Sequence, residues 1–214
     1  MSHSNIALFV AHLGCPNMCS FCNQRHITGK NCAPKPQDVI NAVQVAMQSK
    51  GYNHKMSEIE FFGGSFTAIE RSYMLELLST AYTYVKDNKF IGIRISTRPD
   101  FIDYEILTIL KEYGVTSIEL GAQSMCDDVL KANYRGHTAH QVVNASKLIK
   151  KYGFNLGLQM MTGLYQSTPQ KDIYTAEQII SLNPATVRIY PTIIMKNTAH
   201  KNIKWRNLKF LPSY

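Results

Sequence analysis

The chain has 214 residues, 45% of them hydrophobic, and a formal net charge of +8. That length can bury one sizeable core, or two small ones, and no apolar run reaches the roughly 18 residues needed to span a bilayer. The opening MSHSNIALFVAHLG has no basic n-region and no small-residue cleavage site, so no secretory signal is expected and the reducing cytoplasm is the default location.

In chain order, the apolar run IALFV (6–10) predicts a first strand. Directly after it, GCPNMCSFCNQRHITG (14–29) places Cys15, Cys19 and Cys22 within eight residues. In QDVINAVQVAMQ (37–48), Val39, Ile40, Val43 and Met47 follow helical spacing. Strands are then expected at IEFFGG (59–64), FIGIRIS (90–96), TSIELG (116–121), FNLGLQMM (154–161) and TVRIYPT (186–192). Amphipathic helices are expected between most of them, at 72–85, 103–114, 139–153 and 172–182. Gly114 and Gly153 stand where a helix C-cap glycine belongs, each followed by a strand.

This β-α repetition predicts an α/β fold with a parallel sheet and helices outside, open or curled towards a barrel. Its strands look buried throughout rather than alternating. A complete eight-fold barrel usually takes about 250 residues, so six strands fit and eight do not. No interdomain linker is visible, which predicts one core over 1–195. A basic tail follows over 196–214, where Lys201, Lys204, Arg206 and Lys209 have no acidic residue to offset them. With those four charges set apart, the rest of the chain carries only a modest positive excess, more simply a solvated surface than a nucleic-acid face.

The cysteine cluster lies in the first βα loop, at the sheet edge where parallel α/β proteins build active sites. In a reducing compartment, clustered thiols point to metal or catalysis rather than disulfides. A structural zinc site would need a fourth ligand from Cys32, His26 or His12, and no second CxxC knuckle exists. Three soft thiolates in one tight loop suit a cubane iron–sulfur cluster better, and would leave one iron open to a chelating substrate.

CxxxCxxC after the first strand of a β/α series resembles the radical S-adenosylmethionine (SAM) motif, with Phe21 in the aromatic position before the last cysteine. STRPDFID (96–103), ELGAQSMCDDVLKANYRGHT (119–138), QMMTGL (159–164) and RIYPTII (188–194) extend the resemblance to the radical domain of the Elongator catalytic subunits and their bacterial homologues. The oxygen-independent coproporphyrinogen oxidases are similar in fewer blocks. The resemblance implies a partial (β/α)6 TIM-like barrel in which Cys15, Cys19 and Cys22 bind a [4Fe-4S] cluster. In this superfamily the reduced cluster cleaves SAM to methionine and a 5′-deoxyadenosyl radical, which abstracts hydrogen from a substrate.

Carried over residue by residue, Gly63, Gly64 and Ser65 match the glycine motif at the methionyl amino group, with Ser65 where many members have an acid. As residues alone, the glycine pair is an ordinary strand-to-helix turn. Ser96 stands where relatives often carry a ribose-contacting Glu. Gln123 and Arg135 match positions holding ribose and the methionyl carboxylate, and Gln159 matches a cofactor-side His or Asp. An arginine–carboxylate fork is a sound physical reason for Arg135. Cys126 is expected to be an ordinary residue at a helix start, and His137 a structural hydrogen-bonding group rather than a metal ligand with His140.

The resemblance further implies an enzyme acting on the wobble uridine of transfer RNA, reduced by a donor such as ferredoxin or flavodoxin, with no membrane partner. Those relatives carry a C-terminal acetyltransferase domain that this sequence lacks, so the chain is expected to be truncated, with the sixth helix incomplete. Trp205, Leu208, Phe210 and Leu211 then face no obvious core, and association through an uncovered last strand is expected. The alternatives are a non-catalytic remnant that binds RNA or metal, and a coproporphyrinogen-oxidase-like radical enzyme.

Overall fold

The computed structural model describes residues 4–10, 13–16, 18–22, 33–193 and 198. Apart from Thr198 the basic tail, like Cys32, His12 and His26, lies outside the described residues. Six strands form one sheet: β1 (Ser4–Val10), β2 (Ser57–Gly63), β3 (Gly92–Thr97), β4 (Val115–Gln123), β5 (Asn155–Thr162) and β6 (Thr186–Pro191). They lie side by side in sequence order, every neighbouring pair parallel. Helices α1 (Pro36–Met47), α2 (Arg71–Lys86), α3 (Tyr104–Glu112), α5 (Ala139–Lys151) and α6 (Pro169–Ser181) fill the crossovers, with the short α4 (Asp127–Ala132) after β4.

An order without reversal, joined by crossovers that are right-handed in nearly all parallel sheets, keeps the helices on one face and lets the sheet curl. One ion pair measures that curl. In a flat sheet, β2 and β6 would lie about 19 Å apart, four strand spacings. Here Arg188 on β6 reaches Glu60 on β2 at 3.6 Å. The architecture is therefore a half-barrel of the TIM type.

Its core lies between the convex face and the helices. Ile59, Phe61, Ile93, Ile95, Ile118 and Leu120 are fully buried there, against Leu77, Leu107 and Ile149 from the helices. Each such side chain contributes roughly 1.5–3 kcal/mol by leaving water. All strands are expected to look buried throughout; β2 and β4 do bury both faces over most of their length, whereas β6 is largely exposed, and the two faces differ chemically. Between the core residues of β2, β3 and β4 come Glu58, Glu60, Arg94, Ser117 and Glu119, turned to the concave side. These charges stay inside because they are paired. Arg94 Nη2 lies 2.8 Å from Glu58 Oε2, and Thr116 and Ser117 hydroxyls donate to Glu58 Oε1 at 2.7 and 2.8 Å. Burial works against the Glu58 charge, but those hydroxyls and the Arg94 guanidinium outweigh it and hold the carboxyl below its usual range.

The helix ends are set locally. Gly114 and Gly153 adopt φ of 70° and 82° just beyond α3 and α5, the left-handed cap conformation that glycine takes without strain. Thr138 begins α5 with a reciprocal capping box: its Oγ1 accepts from Gln141 N at 3.3 Å, and Gln141 Oε1 accepts from Thr138 N at 2.9 Å. Thr138→Ala is expected to destabilise the fold by about 1 kcal/mol, read as a lowered midpoint in urea unfolding. Cys126 occupies the N-cap position of α4, as a helix-start residue should.

Candidate cofactor site

At the carboxyl ends of the strands the concave face opens into a cavity of about 680 Å³. Of the residues singled out from sequence, Cys15, Cys19, Cys22, Gly63, Gly64, Ser96, Gln123, Arg135 and Gln159 all line it. Ser65 does not. It is fully buried behind the wall, its hydroxyl 2.9 Å from Thr97 Oγ1, and its main chain hydrogen-bonds Cys15. Its hydroxyl is turned away from the cavity, and what it offers the cysteine loop is main chain.

The cysteine loop is held by main-chain contact with the β2 turn. Gly64 N donates to Val10 O at 2.9 Å, and a Cβ on Gly64 would stand 2.5 Å from Leu13 O. Gly14 has φ +74°, and its Cβ would stand 2.4 Å from Ser65 O. Two backbones approach this closely only without side chains between them. Further along, Cys22 N donates to Cys19 O at 3.0 Å, folding the last two thiols onto one turn. A tie that sequence reasoning missed comes from Asn133 after α4. Its backbone carbonyl accepts from Ser20 N at 3.1 Å and its Oδ1 from Ser20 Oγ at 3.0 Å. Its amide nitrogen bonds the Val129 and Tyr165 carbonyls. The residue stands two before Arg135 in the block quoted above, but its partners are a three-dimensional fact with no signature in one sequence.

Gln123 ends β4 with φ +66°, rare for a residue with a side chain, beside a register shift between Gly121 and Gln123. Such a conformation costs on the order of 1–3 kcal/mol and is held only by its surroundings. Here it aims the side chain into the cavity, where Oε1 is buried without a partner. Arg135 is 7% exposed; Nη2 donates to Gly121 O at 2.6 Å and Nη1 to Cys19 Sγ at 3.2 Å. Its Nε, like Ser96 Oγ, is buried without a partner. Arg98, gripped by Asp100 at 2.7 and 2.9 Å, adds a second cation near the thiols. Burial pushes the Cys15 thiol up and Cys19 adds to this, while Arg135, Arg98 and the Ser65 main chain pull it down.

His137 is buried, its Nε2 3.1 Å from Ala122 O, so Nε2 carries the proton. Burial, then the Arg135 charge, lowers its pKa to about 3. Between the ordinary histidine value of about 6.5 and that limit, the unfolded chain binds a proton that the native chain refuses. Stability should therefore decline as the pH is lowered through this window, by at most about 1.4 kcal/mol per pH unit. Urea midpoints from pH 7 to pH 4 are expected to show that slope, and His137→Gln to flatten it.

The thiols share one wall without closing on a point: among the described residues, no three His, Cys, Asp or Glu side chains form a metal cage. The donor set nevertheless fits an iron–sulfur cluster with a chelating co-substrate. It offers three soft ligands in one loop, two nearby cations, and three buried polar atoms on the adjacent wall that lack partners within the chain.

Residues 10–178 match the family model of the radical SAM superfamily. The chain is 24% identical to the tRNA uridine(34) acetyltransferase of Dehalococcoides mccartyi, over 97% of this chain and 52% of that protein. It is 31% identical to Elongator complex protein 3 of Danio rerio, over 71% of this chain and 32% of that protein. It thus spans about half, or less, of these relatives' length. Among solved structures, the archaeal Elp3 of Methanocaldococcus infernus superposes with a TM-score of 0.73 at 20% identity, over 95% of this chain and 49% of that one. Methylornithine synthase follows at 0.72 and 16%, over 92% and 56%. Both share the half-barrel.

Proposed function

The chain belongs to the radical SAM superfamily, and on that premise we propose that Cys15, Cys19 and Cys22 ligate a [4Fe-4S] cluster and that the enzyme acts on the wobble uridine of transfer RNA. When bound, the cluster and SAM supply reductive sulfonium cleavage and a hydrogen-abstracting radical. The chain's own residues bind, orient and exclude water. Arg135, with Nε unpartnered, takes the methionyl carboxylate as a charge-assisted fork. Gln123 and Ser96 offer their unpartnered atoms to ribose hydroxyls, and Gln159 closes the cofactor side. Gly63 and Gly64 line the cavity and would present main chain to the methionyl amino group. Phe9, Phe62 and Met161 line the cavity and keep it dry.

The observation that carries this reading is the convergence of the cysteine loop, Gln123 and Arg135 on one cavity, with buried polar atoms left over for a ligand. The name of the Dehalococcoides relative supports uridine in transfer RNA as the target. An electron donor such as ferredoxin or flavodoxin is part of the proposal. No described helix is long and apolar enough to cross a membrane. Anaerobic reconstitution tests the reading: iron and sulfide are counted, and 5′-deoxyadenosine is measured after adding reductant and SAM. Stoichiometric zinc without iron, or no SAM cleavage, would overturn it.

A further inference from the structure

The cavity has a second end, built by β5 and β6 and remote in strand order from the loop that follows β1. Arg188 is its cation. Two carboxylates brace it from the concave floor: Glu119 Oε1 lies 2.9 Å from Arg188 Nε, and Glu60 Oε1 lies 3.6 Å from Nη2. Both glutamates are nearly inaccessible, at 0% and 6% side-chain exposure, whereas Arg188 keeps 39%. The side chain is thus anchored at its inner edge and open towards the cavity it lines. A guanidinium has five N–H donors and no acceptor. Two carboxylates and the neighbouring Tyr190 phenol leave donors over for a ligand. Around it, Phe62, Met161, Tyr190 and Pro191 give apolar and aromatic walls suited to a flat ring.

We propose that Arg188 selects the nucleobase: it donates to a carbonyl oxygen of a uracil ring lying against Tyr190, and rejects cytosine, whose amino group would meet a donor-only side chain. The assignment rests on the reading that uridine is the substrate. Arg188 is then a specificity-determining residue, and Glu60 and Glu119 are positioning residues that act through it. The pairing follows from edge chemistry, because uracil offers two carbonyl acceptors and cytosine replaces one of them with a donor.

The test is equilibrium binding of two anticodon stem-loops, identical except for U or C at the wobble nucleotide, to the full chain reconstituted anaerobically with SAM. The unmodified chain is expected to prefer U by about tenfold or more. Arg188→Lys keeps a cation against both glutamates but replaces the planar fork with a compact ammonium. It should reduce the preference below about threefold, with the shared phosphate contribution to binding retained. The paired change Arg188→Gln with Glu119→Gln, which leaves one fewer buried charge uncompensated, should abolish the preference. A wild-type-like U over C ratio in either variant would overturn the assignment while leaving the uridine reading intact. Equal binding of both stem-loops by the unmodified chain would instead overturn the uridine reading, and the assignment with it.

Discussion

Replacing any one of Cys15, Cys19 or Cys22 by alanine is expected to abolish the cluster. Reconstituted protein should hold about four irons per chain and show thiolate-to-iron charge-transfer absorbance, and each variant should lose both. Two thiolates cannot hold the three irons that need protein ligands, and no carboxylate or imidazole of the described chain forms a cage with them. The three positions are not equivalent in structure. Cys19 is buried and receives Arg135 Nη1 at 3.2 Å, whereas Cys15 is half-buried and receives the Ser65 main chain. They are equivalent in consequence. Cys126→Ala and Cys32→Ala are the controls and should keep the iron; Cys126 stands at the N-cap position of α4, away from the cavity lining. Iron retained in a Cys15, Cys19 or Cys22 variant would move the ligand set elsewhere.

Arg135→Ala should weaken SAM binding by roughly 1.5–3 kcal/mol, the worth of a hydrogen-bonded charged contact, measured by calorimetric titration under anaerobic conditions. Iron content should stay at the wild-type level, because the guanidinium touches Cys19 as a donor and the metal is held by sulfur. Arg135→Lys is the informative companion. A lysine restores the charge but cannot reach Gly121 O, Cys19 and the ligand with one planar fork, so only part of the affinity should return. Unchanged affinity in the alanine variant would leave Arg135 as a prop for the cysteine loop alone.

Much of the fold could be read from periodicity. Helical spacing at Val39 and Val43 and the glycines at 114 and 153 mark elements by local rules, and the structure shows both helix ends where those rules place them. The cysteine loop was legible because its spacing is local too. What stayed hidden depends on neighbours distant in sequence. Glu58, Glu60 and Glu119 look like surface acids until strand pairing brings Arg94, and the curl brings Arg188, to them. Gln123 was marked for its position, but its left-handed backbone follows from the β4 register shift, which one strand alone does not reveal. Ser65 was singled out with the glycine pair, but residue type says nothing about which way a turn faces, and its hydroxyl turns to Thr97 behind the cavity wall.

The two-faced strands restrict how the chain can change length. Removing one residue before Ile118 would turn every later side chain of β4 over, sending Ile118 and Leu120 into the cavity and Glu119 among the helix-facing hydrophobics. Glu119 would be parted from Arg188 and Gln123 from the cavity in the same step. An insertion inside β2, β3 or β5 carries a similar penalty, since each packs apolar residues on one side and polar groups on the other. Gains and losses of residues are therefore confined to the connections between helices and strands. The shift between Gly121 and Gln123 is where β4 itself departs from regular pairing, and it does so at the residue aimed at the ligand.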